Sequence, residues 1–150
     1  MSHKVAVLMG SPNDAEKMSG AGETLERFGL EADVRVLSAH RNPAEVAEFV
    51  SGARDAGYVA IIAGAGMAAH LAGVCAAHTT LPVIGVPLSG GALNGVDALY
   101  ATVQMPRGIP VATVAVDGSV NAALLVVQML AITDADLAEK LAEHRRGGAR

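Results

Sequence analysis

"KVAVLMGSPND", residues 4–14, runs from strand-forming, largely apolar sequence straight into a glycine, a serine and a proline. Ser11 stands where a helix N-cap belongs, Pro12 at the first helical position and Asp14 three residues after the cap. The stretch therefore predicts a strand over 4–9 and a helix over 12–28. The unit then returns down the chain. Further apolar runs, "DVRVL" (33–37), "YVAIIA" (58–63), "LPVIGVP" (81–87) and "IPVATVAV" (109–116), alternate with helical patterns over 43–56, 67–78, 94–103 and 119–132, followed by a polar helix over 134–146. This alternation implies βαβ units and a parallel sheet covered on both faces. Most of the runs, 109–116 included, are nearly unbroken in hydrophobicity, as central strands should be, whereas "DVRVL" alternates and belongs nearer an edge. The expectation is an α/β chain with an open, doubly wound, five-stranded parallel sheet in the order 2-1-3-4-5. It has three layers, α/β/α, with an extra C-terminal helix, and forms one domain over 1–150 whose tail, about 147–150, frays.

Composition narrows the function classes. A net charge of −4, with no basic cluster beyond Arg145-Arg146, argues against nucleic acid or an anionic membrane as partner. No apolar stretch reaches the roughly 18 residues of a membrane span. "MSHKVAVLMG" lacks a signal-peptide pattern, and Cys75 alone cannot form an internal disulfide, so the expected location is cytoplasmic. Aromatic residues make up only 3%, which limits the area each core residue can bury; subunit association is the expected remedy. "NAALLVVQMLAI" is apolar nearly all round, placing the 119–132 and 134–146 helices at subunit contacts.

Ligands in such folds sit beyond the carboxyl ends of the strands, so the informative loops are "GSPND" (10–14), "SAHRN" (38–42), "GAGMAAH" (64–70), "SGGALNG" (89–95) and "DGSVN" (117–121). In the first, Ser11 and Asp14 either cap the helix or bind a phosphate and ribose hydroxyls. In the second, Asn42, Pro43 and Glu45 supply a complete helix start, leaving His40 and Arg41 unneeded for folding. Imidazole can give and take protons near neutral pH, and guanidinium can clamp a phosphate through two parallel bonds. His70 reads either as a helix-face histidine bonded to a neighbouring loop or subunit, or as part of the site. His78 suits a helix C-terminus. No histidine spacing matches a metal site, no Walker or dinucleotide fingerprint occurs, and Cys75 lies inside an apolar helix. What remains is acid–base chemistry on a phosphorylated small molecule, with neither metal nor cofactor.

Taken together, "GSPND", "SAHRNP", "IIAGAGMAAHLAG", "LPVIGVP", "GVDALYATVQMPRGIPVATVAV" and "NAALL" resemble the carboxyaminoimidazole ribonucleotide mutases of purine biosynthesis, over essentially the whole chain. The resemblance implies a flavodoxin-like domain assembled as a homo-octamer. It implies isomerisation of N5-carboxyaminoimidazole ribonucleotide to 4-carboxy-5-aminoimidazole ribonucleotide without metal, ATP or biotin. By motif match, Ser11 and Arg41 would hold the 5′-phosphate and Asp14 the ribose, with Gly10, Asn13 and Ser38 beside them. His40 would be the acid–base residue. Gly64, Ala65 and Gly66 would line the carboxylate pocket, His70 would support that wall, and Ser89 and Leu93 would close over the nucleotide. The chain departs from the family pattern at Asn13 where Ser is usual, at Met67 where Gly is usual and at Ala72 where Pro is usual. Met67 either narrows the pocket or packs into a neighbouring subunit. Two other readings remain: an aminoimidazole ribonucleotide carboxylase using free CO2, and a non-enzymatic flavodoxin-like module binding FMN or another nucleotide. Against a flavin, none of Phe28, Phe49, Tyr58 and Tyr100 lies in a strand-end loop.

Overall fold

The computed structural model describes residues 2–150. The strands are β1 (Lys4–Met9), β2 (Glu31–Val36), β3 (Tyr58–Gly66), β4 (Val83–Leu88) and β5 (Ala112–Thr113), and they form one sheet in the order β2-β1-β3-β4-β5. Every neighbouring pair is parallel. Between and after them come α1 (Ala15–Arg27), α2 (Pro43–Gly52), α3 (Leu71–His78), α4 (Val96–Val103), α5 (Ser119–Ala131) and α6 (Ala135–Arg146). The expected order and layering are those observed.

The period of two along each strand sorts side chains into two cores. Val5, Val7 and Met9 of β1, with Ile62, Ile84 and Val86, meet Met18 and Leu25 of α1 and Ala122, Ala123 and Val126 of α5. On the other face, Ala6, Leu8, Ile61 and Ala63 pack against Val46 and Val50 of α2 and Leu71, Ala72 and Cys75 of α3. β1 is hidden from both sides, which is why its sequence shows no polar alternation.

β5 corrects the reading of 109–116. Only Ile84↔Ala112 and Gly85↔Thr113 pair, and β5 is a half-buried edge of two residues. Pro110 has no N–H for a ladder, and Val111 and Val114 are apolar because they pack onto opposite faces of the sheet, not because the run is central. At the opposite edge, β2 is charged: Arg35 bonds Asp33 at 3.0 Å, and Tyr58 donates to the same carboxylate.

The apolar character of α5 finds its explanation inside the chain. One side rests on the sheet, and α1 and α6 cover others, so Val126 and Val127 are buried without a partner subunit. α6 begins at a capped Asp134, whose carboxylate accepts from the Leu137 N–H at 3.1 Å. At its far end, the N–H groups of Gly147 and Ala149 bond back to Glu143 and His144. Exposed apolar residues remain at Val120 and Ile132 on and at the end of α5, and at Val96, Tyr100 and Val103 on α4.

Small residues set the interlayer distance. A Cβ on Gly85 would lie 2.4 Å from Cγ2 of Thr102 and 2.9 Å from Cγ1 of Val111, both β-branched and stiff. Gly85→Ala is expected to destabilise the fold by about 1–3 kcal/mol, the usual cost of overpacking, seen as a drop in Tm by calorimetry. Gly52→Ala, with open space around the new methyl, should leave Tm unchanged or raise it.

Candidate functional site

The carboxyl ends of the strands open onto a cavity of about 390 Å³, a size typical of small-molecule sites. Each loop brings its groups there by local hydrogen bonding. After β1, Gly10 donates to the Gly64 carbonyl at 3.2 Å, tying the first loop to the tip of β3. Ser11 is extended and caps a 3-10 turn, its hydroxyl oxygen accepting from the Asn13 N–H at 3.2 Å. The capping reading is therefore correct, and it leaves the Ser11 hydroxyl hydrogen free at the cavity wall. Asp14 lines the same wall; burial pushes its carboxyl above the ordinary value, against the pull of Lys17 and of the Ser11 backbone N–H.

The second loop is built around Ser38, which is buried. Its hydroxyl accepts from the N–H groups of His40 at 3.3 Å and Arg41 at 3.1 Å. Asn42 stands at the N-cap of α2 but makes no side-chain cap; its amide oxygen instead accepts from the Ser38 N–H at 3.3 Å, while its own N–H bonds the Ser38 carbonyl at 2.8 Å. The loop closes on itself, and the His40 and Arg41 side chains are what remains to face outward.

β3 runs further than the apolar pattern suggested. Ala65↔Pro87 and Gly66↔Leu88 are ladder pairs, so the Gly-Ala-Gly wall is strand rather than loop. Met67 then turns with φ 50°, in the left-handed region that favours glycine, and half-exposed it lines the cavity. A Cβ on Gly91 would come within 3.1 Å of the Met67 sulfur, so Met67 leans toward the fourth loop. His70 lies before α3, at its N-cap position, rather than within the helix as expected. His40 Nε2 and His70 Nδ1 are 2.7 Å apart, with the rings edge to face at 88°. One nitrogen carries the hydrogen and the other accepts it, so the two rings are coupled through a single proton.

The structure brings Gly10, Ser11, Asn13, Asp14, Ser38, His40, Arg41, Ala65, Gly66, His70 and Ser89 to this cavity. Two expected residues are not on its wall. Gly64 serves packing: a Cβ there would lie 2.4 Å from the Met18 sulfur. Leu93 is 62% exposed and does not line the cavity. Sequence reasoning left out Ala39, Ala68, Leu71, Gly90 and Gly91, all lining residues; the glycine pair in "SGGALNG" was the available signal. The His40–His70 contact had none, the two lying 30 residues apart. Burial pushes the Cys75 thiol up to about 12, so it is no nucleophile. Among the described residues, no group of three or more His, Cys, Asp or Glu is placed to hold a metal.

A crevice at the carboxyl edge of a doubly wound sheet is where α/β proteins of this architecture hold small ligands, nucleotides among them. This chain belongs to the AIR carboxylase family, whose model matches residues 4–150. It is 51% identical over 148 residues to the N5-carboxyaminoimidazole ribonucleotide mutase of Brucella melitensis, covering 97% of this chain and 91% of that one. It is also 50% identical over 139 residues to the phosphoribosylaminoimidazole carboxylase of Candida glabrata, covering 93% of this chain but 24% of that one. The crystal structure of Treponema denticola PurE2-S38D superposes with a TM-score of 0.90 at 26% identity, over 99% of this chain and 92% of that one.

Removing the Ser38 hydroxyl leaves two loop N–H groups unpaired. Ser38→Ala should cost about 1–3 kcal/mol of local stability and raise the amide hydrogen-exchange rates of His40 and Arg41, with little change in the core strands.

Proposed function

We infer that this protein isomerises N5-carboxyaminoimidazole ribonucleotide to 4-carboxy-5-aminoimidazole ribonucleotide in purine biosynthesis. The observation that carries the reading is the placement of the His40–His70 pair on the same cavity as Arg41, Ser11 and the Ala65-Gly66 strand tip. Arg41 and the free Ser11 hydroxyl hold the 5′-phosphate by charge-assisted and neutral hydrogen bonds, and Asp14 accepts from the ribose hydroxyls. The base then lies toward the histidines and the strand tip.

The chemistry needs one proton delivered and one removed. His40 protonates the exocyclic nitrogen as the N–C bond of the carbamate breaks, freeing CO2 against the small residues Ala65, Gly66 and Ala68. The ring carbon C4 attacks that CO2, forming the new C–C bond. His40, now neutral, removes the C4 proton and is restored. The bond between His40 Nε2 and His70 Nδ1 orients the His40 ring; protonated His40 donates to His70 through Nε2–H and moves its working proton at Nδ1. The reaction as written calls for no metal, ATP or biotin.

Around this chemistry the reading places one domain, working in the cytoplasm as a homo-octamer. No helix among the described residues is long and apolar enough to cross a membrane. The exposed apolar residues Val96, Tyr100 and Val103 on α4, and Val120 and Ile132 on and at the end of α5, support association through these helices. The carboxylase reading draws support from the name of the Candida glabrata relative. Met67 favours the mutase: leaning over the wall toward Gly91, it narrows the route by which CO2 would leave.

His40→Asn should lower kcat by at least the roughly 10²–10⁴-fold typical of an acid–base residue while leaving Tm and nucleotide affinity nearly intact. Arg41→Ala should instead raise KM for the nucleotide. Normal turnover by the first variant would remove His40 from the mechanism.

The two reactions separate in a single-turnover assay with labelled bicarbonate in the medium. The expected outcome is full conversion of the carbamate substrate with little label in the product. Extensive labelling, or carboxylation of aminoimidazole ribonucleotide without use of the carbamate, would assign the carboxylase.

A further inference from the structure

Ser89, the first residue after β4 and part of the cavity wall, has all of its polar groups engaged by charged side chains from elsewhere in the fold. Its N–H donates to Asp117 Oδ1 at 2.9 Å, and its hydroxyl donates to Asp117 Oδ2 at 2.5 Å. Its carbonyl accepts from Lys17 Nζ at 2.5 Å. Asp117 comes from the loop between β5 and α5, and Lys17 from the first turns of α1, so three segments distant in sequence converge on one residue. Asp117 sits at φ 60°, where a side chain is disfavoured, and its N–H is anchored on the Pro87 carbonyl at 2.8 Å. A turn alone would be served better by glycine. The carboxylate is what glycine lacks.

We propose that Asp117, assisted by Lys17, is a positioning residue that locks Ser89 as a hydrogen-bond acceptor toward the nucleotide. A carboxylate has no hydrogen to give, so the hydroxyl hydrogen of Ser89 is committed to Asp117 and its lone pairs are left for the cavity. Ser89 then selects an N–H or O–H donor of the substrate, such as the exocyclic amine of the aminoimidazole, and turns away a carboxylate or phosphate oxygen. This holds the base in one orientation relative to His40, with the anionic groups directed to the Arg41 side. The proposal rests on the function above and on the place of Ser89 in the cavity wall.

The test compares Asp117→Gly, Asp117→Asn, Ser89→Ala and the Asp117→Asn/Ser89→Ala pair by calorimetry and steady-state kinetics with N5-carboxyaminoimidazole ribonucleotide. Glycine relieves the backbone strain and removes the carboxylate, so Tm should hold or rise while kcat/KM falls about tenfold, the scale of one hydrogen bond. Asparagine keeps the shape but reverses the polarity. Its amide oxygen takes the Ser89 N–H, its NH2 donates to the hydroxyl oxygen, and the serine hydrogen swings into the cavity; kcat/KM should fall at least as far. The double variant should be no worse than Ser89→Ala alone, since asparagine keeps the bond to the residue-89 N–H and alters only the contact with the hydroxyl. Lys17→Met should show a smaller loss in the same direction. Wild-type kcat/KM in both Asp117 variants, or additive losses in the pair, would overturn the proposal. So would unchanged kcat/KM in Ser89→Ala, which would also remove Ser89 from the site. A wild-type protein inactive on the carbamate would instead defeat the functional reading itself.

Discussion

The site depends on how closely α1 approaches the tip of β3. At Gly64 there is no Cβ, and the Met18 side chain fills the space, its sulfur 2.4 Å from where that carbon would be. This contact fixes the depth of α1 on the sheet. Lys17, Asp14 and the Ser11 turn belong to the same rigid segment, so their positions at the cavity follow from it. Gly10 is tied to Gly64 by a backbone bond, which couples the first loop to the third. Larger residues here would push the layers apart and widen the mouth between Ser11 and Ser89. The scarcity of aromatics and the abundance of glycine are the compositional trace of this close packing.

Backbone strain concentrates at the same end of the molecule. Three of the four non-glycine residues with positive φ, Met67, Asn94 and Asp117, follow β3, β4 and β5. Met67 turns directly off the tip of β3 onto the cavity wall, whereas Asn94 stands before α4 and Asp117 in the loop before α5. Such conformations persist only where neighbouring bonds over-determine them. The Asp117 bonds to Ser89 and the Met67 contact at Gly91 supply that determination. The second loop reaches its shape without strain of this kind, through the reciprocal bonds of Ser38 and Asn42. The wall carrying His40 and Arg41 is thus held by neutral local bonds, and the wall opposite by charged bonds between distant elements.

The sequence by itself determined the layers, the strand order and most of the loops that form the site. Hydrophobic periodicity reports burial, and β1, β3 and β4, buried on both faces, carry the strongest signal. It misjudged 109–116 for the same reason: Val111 and Val114 are apolar because of the helices above and below them, and periodicity does not say whether a strand has a neighbour on its far side. Capping logic at "SAHRNP" rightly set His40 and Arg41 apart as residues not needed to start α2, although Asn42 turned its side chain to Ser38 instead of the helix. Only the tertiary structure decided which groups touch. The pairing of His40 with His70 and the grip of Asp117 and Lys17 on Ser89 depend on the register and spacing of strands whose loops are tens of residues apart. Those distances are set by packing between layers, to which no local stretch of sequence has access.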